Sequence, residues 1–199
     1  MFRVQDVLDL HESTVALWHQ QDIHNPYHGF LQLVCEQHRF NYLLWHEEDI
    51  ARSPDVSDAR IAEVKRAIDR YNQQRNDHIE RLDMCFMDWL VREGITPQKG
   101  ARLNTETPGS GIDRLSILSL RLYHLQEQID RADATEEHRQ KAADRQAVCL
   151  RQRTDLSGAL AELVDDIATG RKRLQLYRQM KMYNDPTMNP YLYGAKKVA

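Results

Sequence analysis

The sequence has few of the residues that make turns, with only 8 glycines and 6 prolines among 199 residues. A β-sandwich or β-barrel of this length needs many tight turns between its strands, so both folds are excluded. No run approaches the roughly 18 consecutive apolar residues of a membrane-spanning helix, and the N-terminal segment has no apolar core of an export signal. We therefore expect an all-helical cytoplasmic protein.

Cysteine and excess charge are also scarce. The 3 cysteines, Cys35, Cys85 and Cys149, lie far apart, which argues against a disulfide framework and a thiolate zinc site. The net charge of -3 gives no overall basic character, so nucleic acid is not an expected partner. Charged residues make up 29% of the chain, and aliphatic and aromatic residues recur among them at helical spacing.

The apolar spacing predicts five helices. They cover about residues 3–20, 26–52 and 58–93, then from Ser110 to about Asp130, with a long last helix after Thr135. The second helix should begin at Pro26 with Asn25 as its cap. In the last helix an apolar period of 3.5 residues continues through Gly170 to Tyr177. These elements predict an all-α antiparallel bundle, four long helices plus an N-terminal one, over residues 1–183. A turn-rich tail over residues 184–199 follows.

Charged and amide side chains lie on faces that should point into the bundle. On the second predicted helix, Asn41 and Glu48 share a face with Leu44 and Trp45. On the third, a polar stripe only about 90° from the apolar stripe contains Lys65, Asp69, Asn72, Asn76, Glu80 and Asp83. Buried charge is costly unless it is paired or liganded. The stripes therefore form an internal salt-bridge and amide network, or they line a polar pocket for a charged ligand, or they are simply exposed on the surface.

The pocket interpretation assigns ligand binding to side chains of three helices and one loop. The segment before the fourth helix ends in a Pro-Gly turn, and the free N–H groups of such a helix start attract phosphate or carboxylate. An ordinary helix cap is the alternative there. The predicted ligand-binding residues are Asn41, Lys65, Asp69, Asn72, Arg75, Asn76, Thr105, Thr107, Ser110 and Arg114.

Two further roles are predicted within the same interior. Glu48, Glu80 and Asp83 offer the oxygen ligands that magnesium prefers, although neighbouring basic side chains would neutralise the same carboxylates. His124 and Asp113 lie on a polar inward face of the fourth helix and are the predicted catalytic residues, with the histidine as the best candidate for proton transfer. A hydrogen-bonded core histidine without a catalytic role is the alternative.

Four segments of the chain resemble a known family. They are Phe40–Arg52, Val64–Asp83, Leu103–Leu125 and Lys181–Tyr193. The chain resembles, over nearly its whole length, an uncharacterised bacterial family, domain of unknown function 4254 (DUF4254). The resemblance implies no established activity. Members are often encoded beside glycosyltransferases, which implies a role in lipopolysaccharide or other surface-glycan synthesis. The sequence departs from the family at Gly111, where a larger apolar residue such as Met is expected.

Two functions from different classes follow. In the first, the central polar cleft binds a phosphorylated or sugar-nucleotide ligand, with magnesium as the candidate cofactor. In the second, the protein is a non-catalytic adaptor for a glycosyltransferase, which it contacts through the last helix and the aromatic residues Tyr183, Tyr191 and Tyr193. The sequence leaves open whether the protein is an enzyme and whether it is an oligomer.

Overall fold

A computed structural model describes residues 2–194, except for the side chain of Tyr183. Its α-helices are α1 (Val4–Trp18), α2 (Gly29–Arg52), α3 (Asp58–Arg92), α4 (Pro108–Asp130), α5 (Glu136–Ala168) and the short α6 (Pro190–Gly194). Two-residue strands β1 (Arg102–Leu103) and β2 (Lys172–Arg173) pair in parallel, and a 3-10 helix covers Met182–Asn184. The predicted all-α bundle is confirmed.

Helix α4 occupies the centre of the bundle. Helices α2 and α3 pack as one hairpin and α4 and α5 as another, while α1 lies against α2, α4 and α5. Helix α4 contacts each of the other four long helices. The core between them contains Val7, Leu10, Val34, Leu82, Leu115, Leu120, Leu160 and Val164. Polar side chains on α4 therefore face other helices or the narrow grooves between them. No helix within the described residues is long and apolar enough to cross a bilayer.

The predicted limits of α3 are confirmed. The Ser57 hydroxyl accepts a hydrogen bond from the backbone N–H of Arg60 at 3.3 Å, which caps the start of the helix. At the other end Gly94 adopts a φ of 67°, in the left-handed region that ends helices and that favours glycine.

Helix α2 starts later than the sequence predicts. Asn25 does not cap a helix that begins at Pro26, because its Oδ1 accepts from the backbone N–H of Tyr27 at 3.1 Å and closes a local turn. The helix starts instead at Gly29.

Helix α4 starts earlier than predicted, at Pro108. Thr107 Oγ1 accepts from the backbone N–H of Ser110 at 3.2 Å, so Thr107 is the N-cap and Ser110 lies within the first turn. Proline at the first helical position needs no hydrogen-bond acceptor and has a suitable φ angle.

The prediction for the last helix is wrong at its end. Helix α5 stops at Ala168, and Gly170 adopts a φ of 74°. A Cβ atom at this glycine would lie 2.7 Å from the carbonyl oxygen of Thr96, so another residue would collide as well as being strained. The apolar period beyond Gly170 is therefore not helical, and the chain leaves the bundle through β2.

After β2 the chain runs back along α3. The backbone N–H of Gln179 donates to Glu80 Oε1 at 3.0 Å, and Asn184 Nδ2 donates to Gln73 Oε1 at 3.2 Å. Of the tail aromatics that the sequence singles out, Tyr191 is 90% exposed and Tyr193 is 49% exposed. The side chain of Tyr183 and residues 195–199 lie outside the described part of the chain.

Candidate functional site

Three adjoining cavities lie along the polar side of α4. The first, about 650 Å³, lies between α4 and α5 and is lined by Arg114, Ile117, Leu118, Arg121, Gln152, Asp155, Leu156 and Ala159. The second, about 630 Å³, is lined by Trp45, Asp49, Arg121, His124, Leu125, Gln128, Arg145, Val148, Cys149 and Gln152. The third, about 430 Å³, is lined by Asn41, Leu44, Trp45, Glu48, Asp49, Arg52, Asn72, Arg75, Ile117, Leu120 and Arg121. Arg121 borders all three.

The first two cavities contain arginines that have no carboxylate partner. Arg114 and Arg121 lie two turns apart on one side of α4, and Arg145 faces them from α5. All three side chains are exposed. Among residues 2–194 no carboxylate lies within ion-pair distance of any of the three guanidinium groups, whereas Arg153, also on α5, pairs with Glu12 at 3.4 Å. These two cavities therefore carry net positive charge that the protein itself does not neutralise.

The third cavity collects four of the sequence-predicted residues. Asn41, Glu48, Asn72 and Arg75 all line it. The carboxylate of Glu48 is paired with Arg52, with 2.5 Å between Oε2 and Nη1. Asn72 of the predicted α3 stripe therefore meets the polar face of α2 at this cavity, while the charge of Glu48 is already balanced by its own helix.

Other predicted residues lie away from the cavities. Lys65 pairs with Asp69 on the exposed surface of α3. Asn76 Oδ1 accepts from Gln179 Nε2 at 3.4 Å, and Glu80 accepts from the backbone of the same tail residue. Thr105 is exposed in the loop before α4. The structure does not bring these side chains to one place with Arg114.

The start of α4 has protein acceptors for its first N–H groups. Asp83 Oδ1 accepts from the backbone N–H of Gly109 at 2.7 Å, and Thr107 accepts from that of Ser110. Burial raises the pKa of Asp83 to about 6, although hydrogen bonds from Thr107 and Gly109 act in the opposite direction. A phosphate at this helix start would have to displace the carboxylate of Asp83.

A buried hydrogen-bond network, the Asp113 cluster, joins α4 to α2 and α3. It comprises Gln37, His38, Asn41, Arg75, Asp113 and Ser116. Asp113 Oδ1 accepts from Gln37 Nε2 at 2.6 Å and from Asn41 Nδ2 at 2.9 Å, and Arg75 Nε lies 3.8 Å away. Burial raises the pKa of Asp113, while Arg75 and the two amide donors lower it. In this part of the interior, the internal network that the sequence allowed is present.

At the other end of α4, His124 belongs to a group of three histidines that we call the histidine cluster. His19 follows α1, His46 lies on α2 and His124 on α4, and one ring nitrogen from each lies within 4.8 Å of the other two. His19 Nδ1 lies 2.7 Å from the carbonyl oxygen of Val15, and His124 Nδ1 lies 2.7 Å from a carboxylate oxygen of Glu127.

His46, the third member of the histidine cluster, has a longer contact at its Nδ1 atom than His19 and His124 have. Its Nδ1 lies 4.0 Å from Oδ2 of Asp49. Burial and the neighbouring His19 and His124 lower the pKa of His46. The Nε2 atoms of all three rings are buried, and no group in the described part of the chain forms a hydrogen bond with them.

Aromatic rings enclose the histidine cluster. Trp45 stacks on His124 with 4.7 Å between ring centroids, and Tyr123 stacks on His19 with 4.2 Å. Within residues 2–194 the cluster is the only group of three or more histidine, cysteine or carboxylate side chains at metal-binding distance. Glu48, Glu80 and Asp83 are therefore not brought together.

The sequence identified His124 but not its neighbours. His124 and Asp113 are about three turns, or roughly 16 Å, apart on α4, so the predicted pair does not form. The sequence does contain a signal for the true arrangement, because His46 and His124 are each followed three residues later by a carboxylate, Asp49 and Glu127. The position of His19 just beyond a helix end gives no comparable signal.

Comparison with known proteins finds one match. The family model DUF4254, described as a protein of unknown function, matches residues 31–176. The matched segment includes α2, α3, α4 and α5 and leaves out α1. No curated protein and no solved structure matches the chain.

Proposed function

Since the chain belongs to the DUF4254 family, whose description names no function, we propose one from the geometry of the cavities: it binds a phosphorylated sugar or a sugar nucleotide. The ligand extends over the three adjoining cavities, with its phosphate between α4 and α5. In keeping with the resemblance, the binding serves surface-glycan synthesis. The proposal concerns binding and includes no reaction.

The observation that carries the proposal is the set of unpaired arginines Arg114, Arg121 and Arg145. A guanidinium group binds phosphate through two parallel N–H donors, which makes arginine the preferred side chain for this purpose. Arg52 and Arg153, by contrast, are paired with Glu48 and Glu12. Positive charge that is left without a partner around a cavity attracts an anionic ligand.

The other lining residues suit the rest of such a ligand. The volumes of about 650 and 630 Å³ fall within the usual range for small-molecule sites. Trp45 and Leu125 give the second cavity an apolar wall for a sugar or base, and the amide of Asn72 in the third cavity suits a sugar hydroxyl. Magnesium enters the proposal only as an ion shared between the carboxylate of Glu48 and the bound phosphate.

A thermal-shift titration with inorganic phosphate, sugar phosphates and sugar nucleotides, with and without magnesium, tests the proposal. At least one of the phosphorylated sugars should raise the Tm of the wild type. Arg121→Ala should weaken that ligand by about 10- to 100-fold, because it removes a charge-assisted hydrogen bond. Its unfolding free energy should change by no more than about 0.5 kcal/mol, since the side chain is exposed.

Arg66→Ala is the matched control, because Arg66 is an exposed arginine on α3 outside the three cavities. It should leave ligand affinity unchanged. If none of the ligands moves the wild-type Tm, or if Arg66→Ala weakens binding as much as Arg121→Ala, the proposal is wrong.

The adaptor hypothesis is the second candidate, and one feature favours it. Seven large apolar side chains between residues 177 and 193 are 43% to 90% exposed, namely Tyr177, Met180, Met182, Met188, Tyr191, Leu192 and Tyr193. An exposed apolar segment of this kind is typical of a protein-binding surface. An adaptor with a purely structural interior should show no thermal shift with any phosphorylated ligand.

A further inference from the structure

We propose that the histidine cluster is a binding site for a divalent transition metal ion, with zinc as the expected ion. This inference is independent of the proposed ligand, because it rests on His19, His46 and His124 alone. It differs also from the magnesium interpretation, which involves carboxylates and not imidazoles.

The groups that face the Nδ1 atoms, through a hydrogen bond in His19 and His124 and through charge alone in His46, determine which nitrogen of each ring is free. The Nδ1 atoms of His19 and His124 face acceptors, a carbonyl oxygen and a carboxylate, so in the neutral ring the proton resides on Nδ1. Asp49 favours the same tautomer for His46. Each Nε2 therefore carries a lone pair.

The buried Nε2 lone pairs of three adjoining rings cannot satisfy one another. A hydrogen bond needs a donor, and none of the three Nε2 atoms has a partner among the described residues. A metal cation accepts all three lone pairs at once. The arrangement in which a ligating histidine gives its other N–H to a carboxylate or carbonyl group is also the usual one in metal sites.

The distances allow coordination after a small adjustment. With metal–nitrogen bonds of 2.0–2.1 Å in tetrahedral geometry, the ligand nitrogens lie about 3.4 Å apart. In the structure the separation is at most 4.8 Å. The His46 side chain is 37% exposed and its Nδ1 lies 4.0 Å from Asp49, so this ring has room to move inward and shorten that contact.

The donor set selects the class of ion. Imidazole nitrogens bind zinc, copper and nickel well, while magnesium takes oxygen ligands. Three protein ligands leave a fourth position for water or another small ligand. An ion here would join the end of α1 to α2 and α4, and so would attach the helix that lies outside the matched residues 31–176.

The test uses the full chain without an affinity tag, stripped of metal by a chelator. Titration with cobalt(II) should produce the intense visible absorption of a tetrahedral site, and zinc should displace it. Zinc at a free concentration of a hundred times its Kd should raise the Tm by about 5–10 °C. Magnesium should leave the Tm unchanged.

Variants locate the ion. His19→Ala, His46→Ala and His124→Ala should each weaken zinc by at least about 100-fold, since loss of even a hydrogen-bonding partner of a ligand costs 10- to 100-fold. His28→Ala is the matched control, because His28 is exposed and lies outside the cluster, and it should bind zinc as the wild type does.

Two results would overturn the proposal. One is a wild-type protein that shows neither the cobalt absorption nor the zinc-dependent rise in Tm, a result that does not depend on whether any variant folds. The other is zinc affinity that survives in all three cluster variants, or that falls equally in His28→Ala.

Discussion

Two polar clusters lie about three turns apart on the same helix, and they are built in opposite ways. In the Asp113 cluster, amide donors from α2 face a carboxylate acceptor on α4, and Arg75 from α3 adds positive charge. In the histidine cluster, three imidazole rings lie together, and the Nε2 atom of each has no hydrogen-bond partner among the described residues. Donors and acceptors that pair with each other stabilise the folded chain directly, whereas three acceptors need a cation from outside the chain. The polar side chains inside this protein therefore fall into two classes, those that pair with each other and those that do not.

The arginine-lined cavities belong with the histidine cluster in this respect. Arg114, Arg121 and Arg145 carry charge that the described part of the chain leaves unbalanced. Asp113 and Ser116 of α4 form hydrogen bonds with α2 and have structural roles. Arg114, Arg121 and His124 line the cavities and have the proposed ligand-binding roles. Predictions that target the two sets separately can break or sharpen this division.

The largest loss of stability is expected when the Asp113 cluster loses its carboxylate. Asp113→Ala removes the acceptor of the buried Gln37 amide and one of the two acceptors of Asn41, and it leaves Arg75 without its carboxylate. It should reduce the unfolding free energy by about 3–5 kcal/mol. His124→Ala should cost less, at most about 2 kcal/mol in the absence of metal, since its Nε2 has no protein partner to lose. Urea denaturation measures both.

Asp155→Ala provides the control for that comparison. Its side chain is exposed at the first cavity, so we expect a change within about 0.5 kcal/mol. A cost for His124→Ala equal to that for Asp113→Ala would show that the two clusters are equally structural, and the division would be lost.

A smaller effect, and one that depends on pH, is expected at Asp83. Its pKa in the folded protein, about 6, lies above the ordinary 3.8, so folding favours the protonated carboxyl. The favourable contribution is complete below pH 3.8 and is lost as the pH rises through 6. Between pH 4.5 and 7 the wild type should lose roughly 2 kcal/mol relative to Asp83→Asn, which does not titrate.

The asparagine variant isolates this carboxyl because its amide oxygen can still accept from the N–H of Gly109. Denaturant unfolding of both proteins at several pH values gives the difference. A difference that is constant over this range would mean that Asp83 titrates normally, and the tight burial of the α4 start would then carry no electrostatic cost.

The sequence predicted the helices well because their apolar residues recur with the helical period. It failed at helix ends where a local side-chain contact decides the outcome, as at Asn25, whose carbonyl oxygen forms a turn with Tyr27 instead of a cap. Gly170 shows the same limit, because the close approach of Thr96 that requires glycine comes from a distant part of the chain.

The site was predictable only in part, for a related reason. Helical periodicity gives the angle of a side chain on its own helix, which is why Asn41, Asn72 and Arg75 were found at one cavity. It does not give the alignment of neighbouring helices along their axes, so it could not show that His46 lies beside His124. The separation of Asp113 and His124, by contrast, follows from the rise of a single helix and argues against that pair already in the sequence. His19 lies beyond a helix end, where no periodicity applies.

The smallest effects concern two helical glycines, and they test how tightly the start of α4 is packed. Gly158 on α5 has no atom within 4 Å of an added Cβ, so Gly158→Ala should stabilise the protein by about 0.5–1 kcal/mol through helix propensity alone. At Gly111 on α4 the same Cβ would lie 2.9 Å from Cδ1 of Leu160. Gly111→Ala should therefore gain less, or be slightly destabilised, even though the resemblance led us to expect a larger residue there.

Thermal unfolding of the two alanine variants measures this difference, which isolates packing because the gain in helix propensity is common to both. Equal stabilisation would mean that Leu160 moves aside at no cost, and that the α4 start can accept a bulkier side chain. A clear deficit for Gly111→Ala would mean that α4 and α5 are fixed against each other at this level. Arg114 follows one turn later and lines the first cavity. The spacing of α4 and α5 at Gly111 would then also fix the width of that cavity.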